Sequence, residues 1–169
     1  MLLTGGFLVK KLGYLSFAFL LLCTVALSSS ADIRPPAVKK EDKCPVCGMF
    51  VAKYKTWIAE VVFSDGSYAA FDGPKDMFKY YLNLNKYGPS KKLSDVSAVY
   101  VTEYYSATLM DAKKMFYVTG SDVYGPMGDE LVPIASEGQA KEFLRDHKGN
   151  RILKFPEVTN DHLLRSYER

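Results

Sequence analysis

What most limits the fold of this chain is one hydrophobic pattern that occurs twice in the same order. Residues 57–63 ("WIAEVVF") and 67–71 ("SYAAF") read as strands joined through Ser64-Asp65-Gly66. An Asp-Gly pair between apolar runs is a strong hairpin signal, because glycine accepts the positive φ that a tight turn requires. Asp72 then reads as a helix cap, with Pro74 in the first turn, where a missing N–H costs nothing. Met77, Phe78, Tyr81 and Leu82 recur at helical spacing and give this helix one apolar face. Gly88-Pro89 ends it, and residues 96–105 ("VSAVYVTEYY") supply a third strand.

The second series repeats that order. Residues 115–120 ("MFYVTG") form a strand, a glycine-rich loop follows, and residues 130–135 ("ELVPIA") form another strand, whose Pro133 suits a sheet edge. Ser136 caps a helix carrying Ala140, Phe143, Leu144 and His147 on one side, Gly149 follows it, and "RILKF" closes the unit as a strand. Identity between the two series is low, so the repeat rests on the order of elements. A short C-terminal helix with Leu163, Leu164 and Tyr167 inward completes the chain. Antiparallel hairpins mixed with helices imply an α+β fold: two tandem strand-strand-helix-strand units forming one compact domain behind a flexible N-terminal leader.

The front of the chain has a different character. Lys10 and Lys11 precede an apolar run over residues 12–27, and Ser28-Ser29-Ser30-Ala31 then offers the small residues of a cleavage site. This is the pattern of a secretory signal over residues 1–31, cut before Asp32. The run is shorter than the roughly 20 residues of a membrane span, although an uncleaved signal would hold the protein at the membrane. Cys23 follows three leucines, a poor site for lipid attachment, and belongs to the discarded segment. Residues 32–43 are charged, contain Pro35 and Pro36, and read as the flexible leader. Residues 44–169 have the size of one domain with a real core. The chain has 22 basic residues against 19 acidic ones and no basic stripe, so nucleic acid is not an expected partner.

Chemistry concentrates at "KCPVCGMF", residues 43–50. Three readings of Cys44 and Cys47 stay open on the residues alone: a local disulfide, a thiol-disulfide redox pair, and a metal site. A redox pair is expected after a core strand and at a helix N-terminus, and this pair instead follows a charged leader. Met49 favours metal, because thioether and thiolate together select Cu(I) over harder ions. Met127 stands in "GPMG", flanked by Gly125-Pro126 and Gly128 in a polar loop, where a methionine contributes little to a core and can serve as a ligand. Met77, Met110 and Met115 read as packing residues. His147 reads as half-buried packing, and His162 has no ligand-like spacing. Asp72, Asp76, Asp122, Asp129 and Glu130 read as caps and turn residues, and no carboxylate pair has the context of a general acid and base.

Two segments together, "CPVCGM" and "FYVTGSDVYGPMGDELVPIAS", resemble the NosL family of nitrous oxide reductase accessory proteins, and "FSDGSYAAFDGPKDMFKYY" resembles that family's hairpin and first helix. The resemblance spans about residues 44–135. It implies an exported, non-enzymatic α+β protein that binds Cu(I) in the periplasm. Its partner would be nitrous oxide reductase and its maturation machinery, for assembly of the reductase's copper-sulfur centre in denitrification. It also implies Cys47, Met49 and Met127 as ligands, with Cys44 a further ligand or a redox switch. The rivals are a periplasmic thiol-disulfide protein using the CPVC pair and a docking module of the maturation machinery that binds no metal. On the copper reading, the site joins a mobile N-terminal thiolate to a thioether from a distant loop.

Overall fold

The computed structural model describes residues 35–164; the signal segment, Cys23 and Tyr167 lie outside the described residues. The first unit contains β1 (Ala59–Phe63), β2 (Tyr68–Phe71), α1 (Pro74–Leu82), α2 (Leu84–Tyr87) and β3 (Val96–Thr102). Strand β4 (Leu109–Asp111) adds to its edge, giving an antiparallel sheet in the order β2-β1-β3-β4. The second unit contains β5 (Phe116–Thr119), β8 (Val132–Ile134), α3 (Glu137–Asp146) and β9 (Arg151–Lys154), with sheet order β8-β5-β9. In both units the first strand lies between the second and the third, so the repeat expected from element order is present as topology. Between β5 and β8 the chain inserts a small ribbon, β6 (Tyr124–Gly125) paired with β7 (Gly128–Asp129), and a short α4 (Asn160–Leu164) follows β9.

Every strand pair in both sheets is antiparallel, whether joined by a turn, as β1 and β2 are, or through a helix, as β1 and β3 are. At the first hairpin Gly66 has φ +82°, and Asp65 Oδ1 accepts from the Ser67 N–H at 3.0 Å, closing the turn that the sequence predicts. Pro133 lies on an edge strand, as its missing N–H requires. Its carbonyl accepts from the Tyr104 N–H at 3.0 Å and so ties the second unit to the first.

Alternation along β5 divides the core. Tyr117 faces a large cluster with Val61, Phe71, Met77, Phe78 and Val101, while Val118 faces α3 through Ala140 and Phe143. Helix α1 serves both sheets: it covers β1 and β2, and Phe78 meets Tyr117 edge to face with ring centroids 4.9 Å apart. Such an aromatic pair adds about 0.5–1.5 kcal/mol beyond its burial.

Several local expectations need correction. Gly73 is the N-cap of α1, and Asp72 makes no capping bond because its side chain turns to the cysteines. The helix breaks at Asn83 before resuming as α2, and Tyr80 is buried where Leu82 was expected. The third strand stops at Thr102, because Glu103 N–H bonds the Thr108 carbonyl and turns the chain back into β4. Finally, Cys44 is only 1% exposed and belongs to the main core, and Val38 and Cys47 pack against that core. The thiols are therefore fixed in the body of the domain rather than carried on a mobile tail.

Candidate metal centre

The stretch around the cysteines is a small closed turn. Lys43 pairs with Phe50 across it, Cys44 N–H donates to the Met49 carbonyl at 2.9 Å, and Gly48 N–H donates to the Cys44 carbonyl at 2.8 Å. Gly48 has φ +81°, a conformation that side-chain-bearing residues rarely take, and so the glycine after Cys47 is what lets the turn close. Backbone N–H groups of Cys47 and Val46 beside the Cys44 sulfur, and that of Met49 beside the Cys47 sulfur, act to lower the thiol pKa, against burial. These donors would stabilise negative charge on either sulfur.

Asp72 and Asp76, one before and one inside the first turn of α1, face the two thiols. Cys47 Sγ donates to Asp72 Oδ1 at 3.1 Å and Cys44 Sγ to Asp76 Oδ2 at 3.5 Å. Ligand atoms of Cys44, Cys47, Asp72 and Asp76 all lie within 4.8 Å of one another, and both carboxylates are buried. Lys79 Nζ holds the other oxygen of Asp76 at 3.1 Å. Asp72 Oδ2 is buried with no hydrogen-bond partner among the described residues. A buried carboxylate oxygen left without a partner is costly, and a cation among these four side chains would satisfy it. Burial, reinforced by the Asp72 and Asp76 carboxylates, pushes the Cys44 thiol up to about 12 and the Cys47 thiol up further. Both cysteines are free thiols.

Met49 is half-buried in the same turn. Met127 sits at the tip of the β6–β7 ribbon, 37% exposed, in a turn with Pro126 before it and Gly128 at φ +81° after it. That ribbon is seated on the start of α1. Lys75 Nζ donates to the Met127 carbonyl at 3.0 Å and to the Asp129 carbonyl, while Glu130 Oε1 accepts from Lys75 N–H at 2.5 Å and Leu131 N–H at 3.0 Å. The cysteine turn and the Met127 ribbon therefore converge on one stretch, residues 72–76.

His147 and His162 do not join the cluster. His147 stacks on Phe143 at 4.3 Å and pairs Nδ1 with Asp122 at 3.1 Å, a packing role. His162 bonds Thr159 N–H and Arg151. Sequence reasoning missed Asp72 and Asp76 as thiol partners and Lys75 and Glu130 as the seat of the ribbon. The four-residue spacing of the two aspartates across a helix start was the available signal, since residues so spaced share a face.

Two thiols and two carboxylates form a mixed donor set. The sulfurs suit Cu(I), and all four groups together suit a tetrahedral ion such as zinc.

Known proteins match this chain over nearly all the described residues. The copper-binding lipoprotein NosL of Stutzerimonas stutzeri is 28% identical over 135 residues, which cover 75% of this chain and 67% of that protein. The crystal structure of the copper chaperone NosL from Shewanella denitrificans shares the fold, with TM-score 0.64 and 20% identity over 76% of this chain and 97% of that one. The sequence model of the NosL family matches residues 35–163, well beyond the segments that carry the motifs, and this chain belongs to that family.

Proposed function

We propose that this protein is an exported Cu(I) chaperone that carries copper for assembly of the copper-sulfur centre of nitrous oxide reductase. The reading rests chiefly on one observation: two free thiols, Cys44 buried and Cys47 half-buried, lie within 4.8 Å of two buried carboxylates, one of which has an oxygen without a partner among the described residues. On this reading Cys44 and Cys47 bind the cargo as thiolates, and Met49 and Met127 add soft thioether donors. Asp72 and Asp76 already accept hydrogen bonds from the thiols, so they are placed to take the protons released when sulfur binds copper. Met49 is half-buried and Met127 exposed, so as ligands both would be open to replacement by a recipient's donors. Soft binding completed by replaceable thioethers favours exchange over storage. Periplasmic location follows from the signal pattern of residues 1–31, and the name of the relative from Stutzerimonas stutzeri, a lipoprotein, supports export.

A thiol-disulfide enzyme fits less well. Its nucleophilic cysteine needs a lowered pKa and access, whereas here Cys44 is buried and burial beside two carboxylates holds both thiols protonated. A second metal reading does have an observation behind it: the four-donor set of two sulfurs and two carboxylates is one that zinc accepts.

A copper-edge X-ray absorption spectrum of the reduced, copper-loaded protein tests the reading. Sulfur neighbours alone are expected, and Cys47→Ser should weaken Cu(I) binding at least about a hundredfold in competition with a chelator. A shell dominated by oxygen, or a Cys47→Ser protein that binds as tightly as the parent, would overturn it.

A further inference from the structure

Lys75 and Glu130 are buried ionisable groups that the copper reading leaves without a task. A lysine with so little exposure is uncommon, and such a group persists where its ammonium is fully engaged. Lys75 uses its ammonium on the carbonyls of Met127 and Asp129, which lie on either side of Gly128 in the tip of the ribbon. Its backbone N–H, in the first turn of α1, goes to Glu130 from the far end of the same ribbon. All three bonds join the two units, and all three hold the ribbon on the stretch whose aspartates face the thiols.

The glycines beside this contact show how close the seating is. A Cβ on Gly73 would lie 2.3 Å from Glu130 Oε2, and one on Gly125 would lie 3.0 Å from it. Neither glycine has a positive φ, so space rather than backbone conformation is what they supply. Helix α1 thus has no side-chain cap of its own, and its start receives instead a carboxylate from the second unit.

We propose that Lys75 and Glu130 are positioning residues that seat the Met127 ribbon against α1 and thereby deliver the Met127 thioether to the cysteine turn. The proposal rests on the reading of Met127 as a copper ligand. Lys75 touches no cargo: it fixes the backbone of the residue that does. If so, removing the Lys75 ammonium costs copper affinity only through Met127, and the two substitutions are not additive.

The test is a double-substitution cycle on the reduced full chain, with Cu(I) affinity measured by chelator competition and methionine methyl groups followed by NMR in carbon-13-labelled protein. Met127→Leu and Lys75→Leu are each expected to weaken binding about tenfold, within the range typical of groups that orient a ligand. The double variant should be weaker than either single one by no more than about twofold. In the parent the Met127 methyl resonance should move on Cu(I) addition, and in Lys75→Leu it should not. Effects that multiply to about a hundredfold, with the Met127 methyl still responding in Lys75→Leu, would overturn the positioning role and leave the ligand reading intact. A Met127 methyl unmoved by Cu(I) in the parent, together with an unweakened Met127→Leu, would overturn the ligand reading and this proposal with it. If Lys75→Leu does not fold, Lys75→Gln retains one donor for the two carbonyls. It should weaken binding about threefold and show the same non-additivity, and parental affinity in that variant would overturn the proposal.

Discussion

The two units share a topology and differ in what they bury. In the second, the described residues of β5, β8, α3 and β9 bury apolar side chains only. The elements of the first bury Glu60, Lys75, Asp76 and Thr102, with Asp72 and Glu103 buried immediately beside them. The helix starts show the contrast at one position. Helix α3 begins with Ser136, whose Oγ accepts from Gln139 N–H within its own turn. Helix α1 begins with Gly73 and Pro74, receives Glu130 from the other unit, and turns its aspartates to the thiols. Apart from Glu130 and the Met127 ribbon, which bond α1, the second unit caps its helix locally and serves as a scaffold. In the first, polar groups that could have capped and solvated the helix face the thiols instead, and polar groups turned from local partners toward a buried cluster cost stability.

The largest effect expected from that asymmetry is at Glu60. It lies in β1 at 0% exposure, and both of its carboxylate oxygens lack partners among the described residues. Burial, with a smaller contribution from nearby Asp42, raises its pKa to about 7, and Tyr68 and Glu41 belong to the same neighbourhood. Between the ordinary value of 4.5 and about 7 the folded state holds a proton that the unfolded state has released. Stability should therefore fall as pH rises through this window and level off above it. Glu60→Gln removes the titration, so it should match the parent near pH 4 and exceed it by roughly 2–3 kcal/mol at pH 8. Glu130, raised to about 8 by burial, adds a slope of the same sign, which cancels when parent and variant are compared. Urea denaturation of both proteins across this range is the check. A difference that does not change with pH would show that Glu60 carries no buried charge at neutral pH.

A smaller effect is expected at Asp72. Its unpartnered oxygen is a cost in the absence of metal, so Asp72→Asn should stabilise the reduced, metal-free protein by about 1 kcal/mol, as neutralising a buried charge often does. The same change removes a proton acceptor for the Cys47 thiol, so copper loading should recover less stability in the variant than in the parent. Thermal denaturation with and without Cu(I) measures both. A metal-free variant less stable than the parent would mean that Asp72 serves the fold rather than the site.

How much of this was legible follows from the range of each interaction. Both series of elements were readable because hydrophobic period, Asp65-Gly66 and Ser136 are local signals, and the structure keeps them. Strand β4 was not readable: three residues, all half-buried, give no period, and the strand exists because the Glu103–Thr108 turn returns the chain to β3. At the site, Cys44, Cys47 and Met49 announced themselves by residue type, and "GPMG" by its glycines. Asp72, Asp76, Lys75 and Glu130 did not, because an aspartate or lysine at a helix start has an ordinary local explanation. Their roles come from partners 25 to 55 residues away. Pro74 and Gly73 hid the site further by resembling a routine helix entry, when the glycine in fact makes room for Glu130.

The smallest expected effect falls on the scaffold side. Ser136 is exposed, and its bond to Gln139 N–H is long at 3.3 Å, which puts its capping contribution at the low end of the usual range. Ser136→Ala should cost about 0.5 kcal/mol of stability and leave Cu(I) affinity unchanged. The two measurements answer different questions. A larger loss of stability would show only that this cap is stronger than its geometry implies. A loss of copper affinity would show that the start of α3 is coupled to the start of α1, through the Tyr104–Pro133 bond between the units or otherwise, and that α3, not the Met127 ribbon alone, bears on binding.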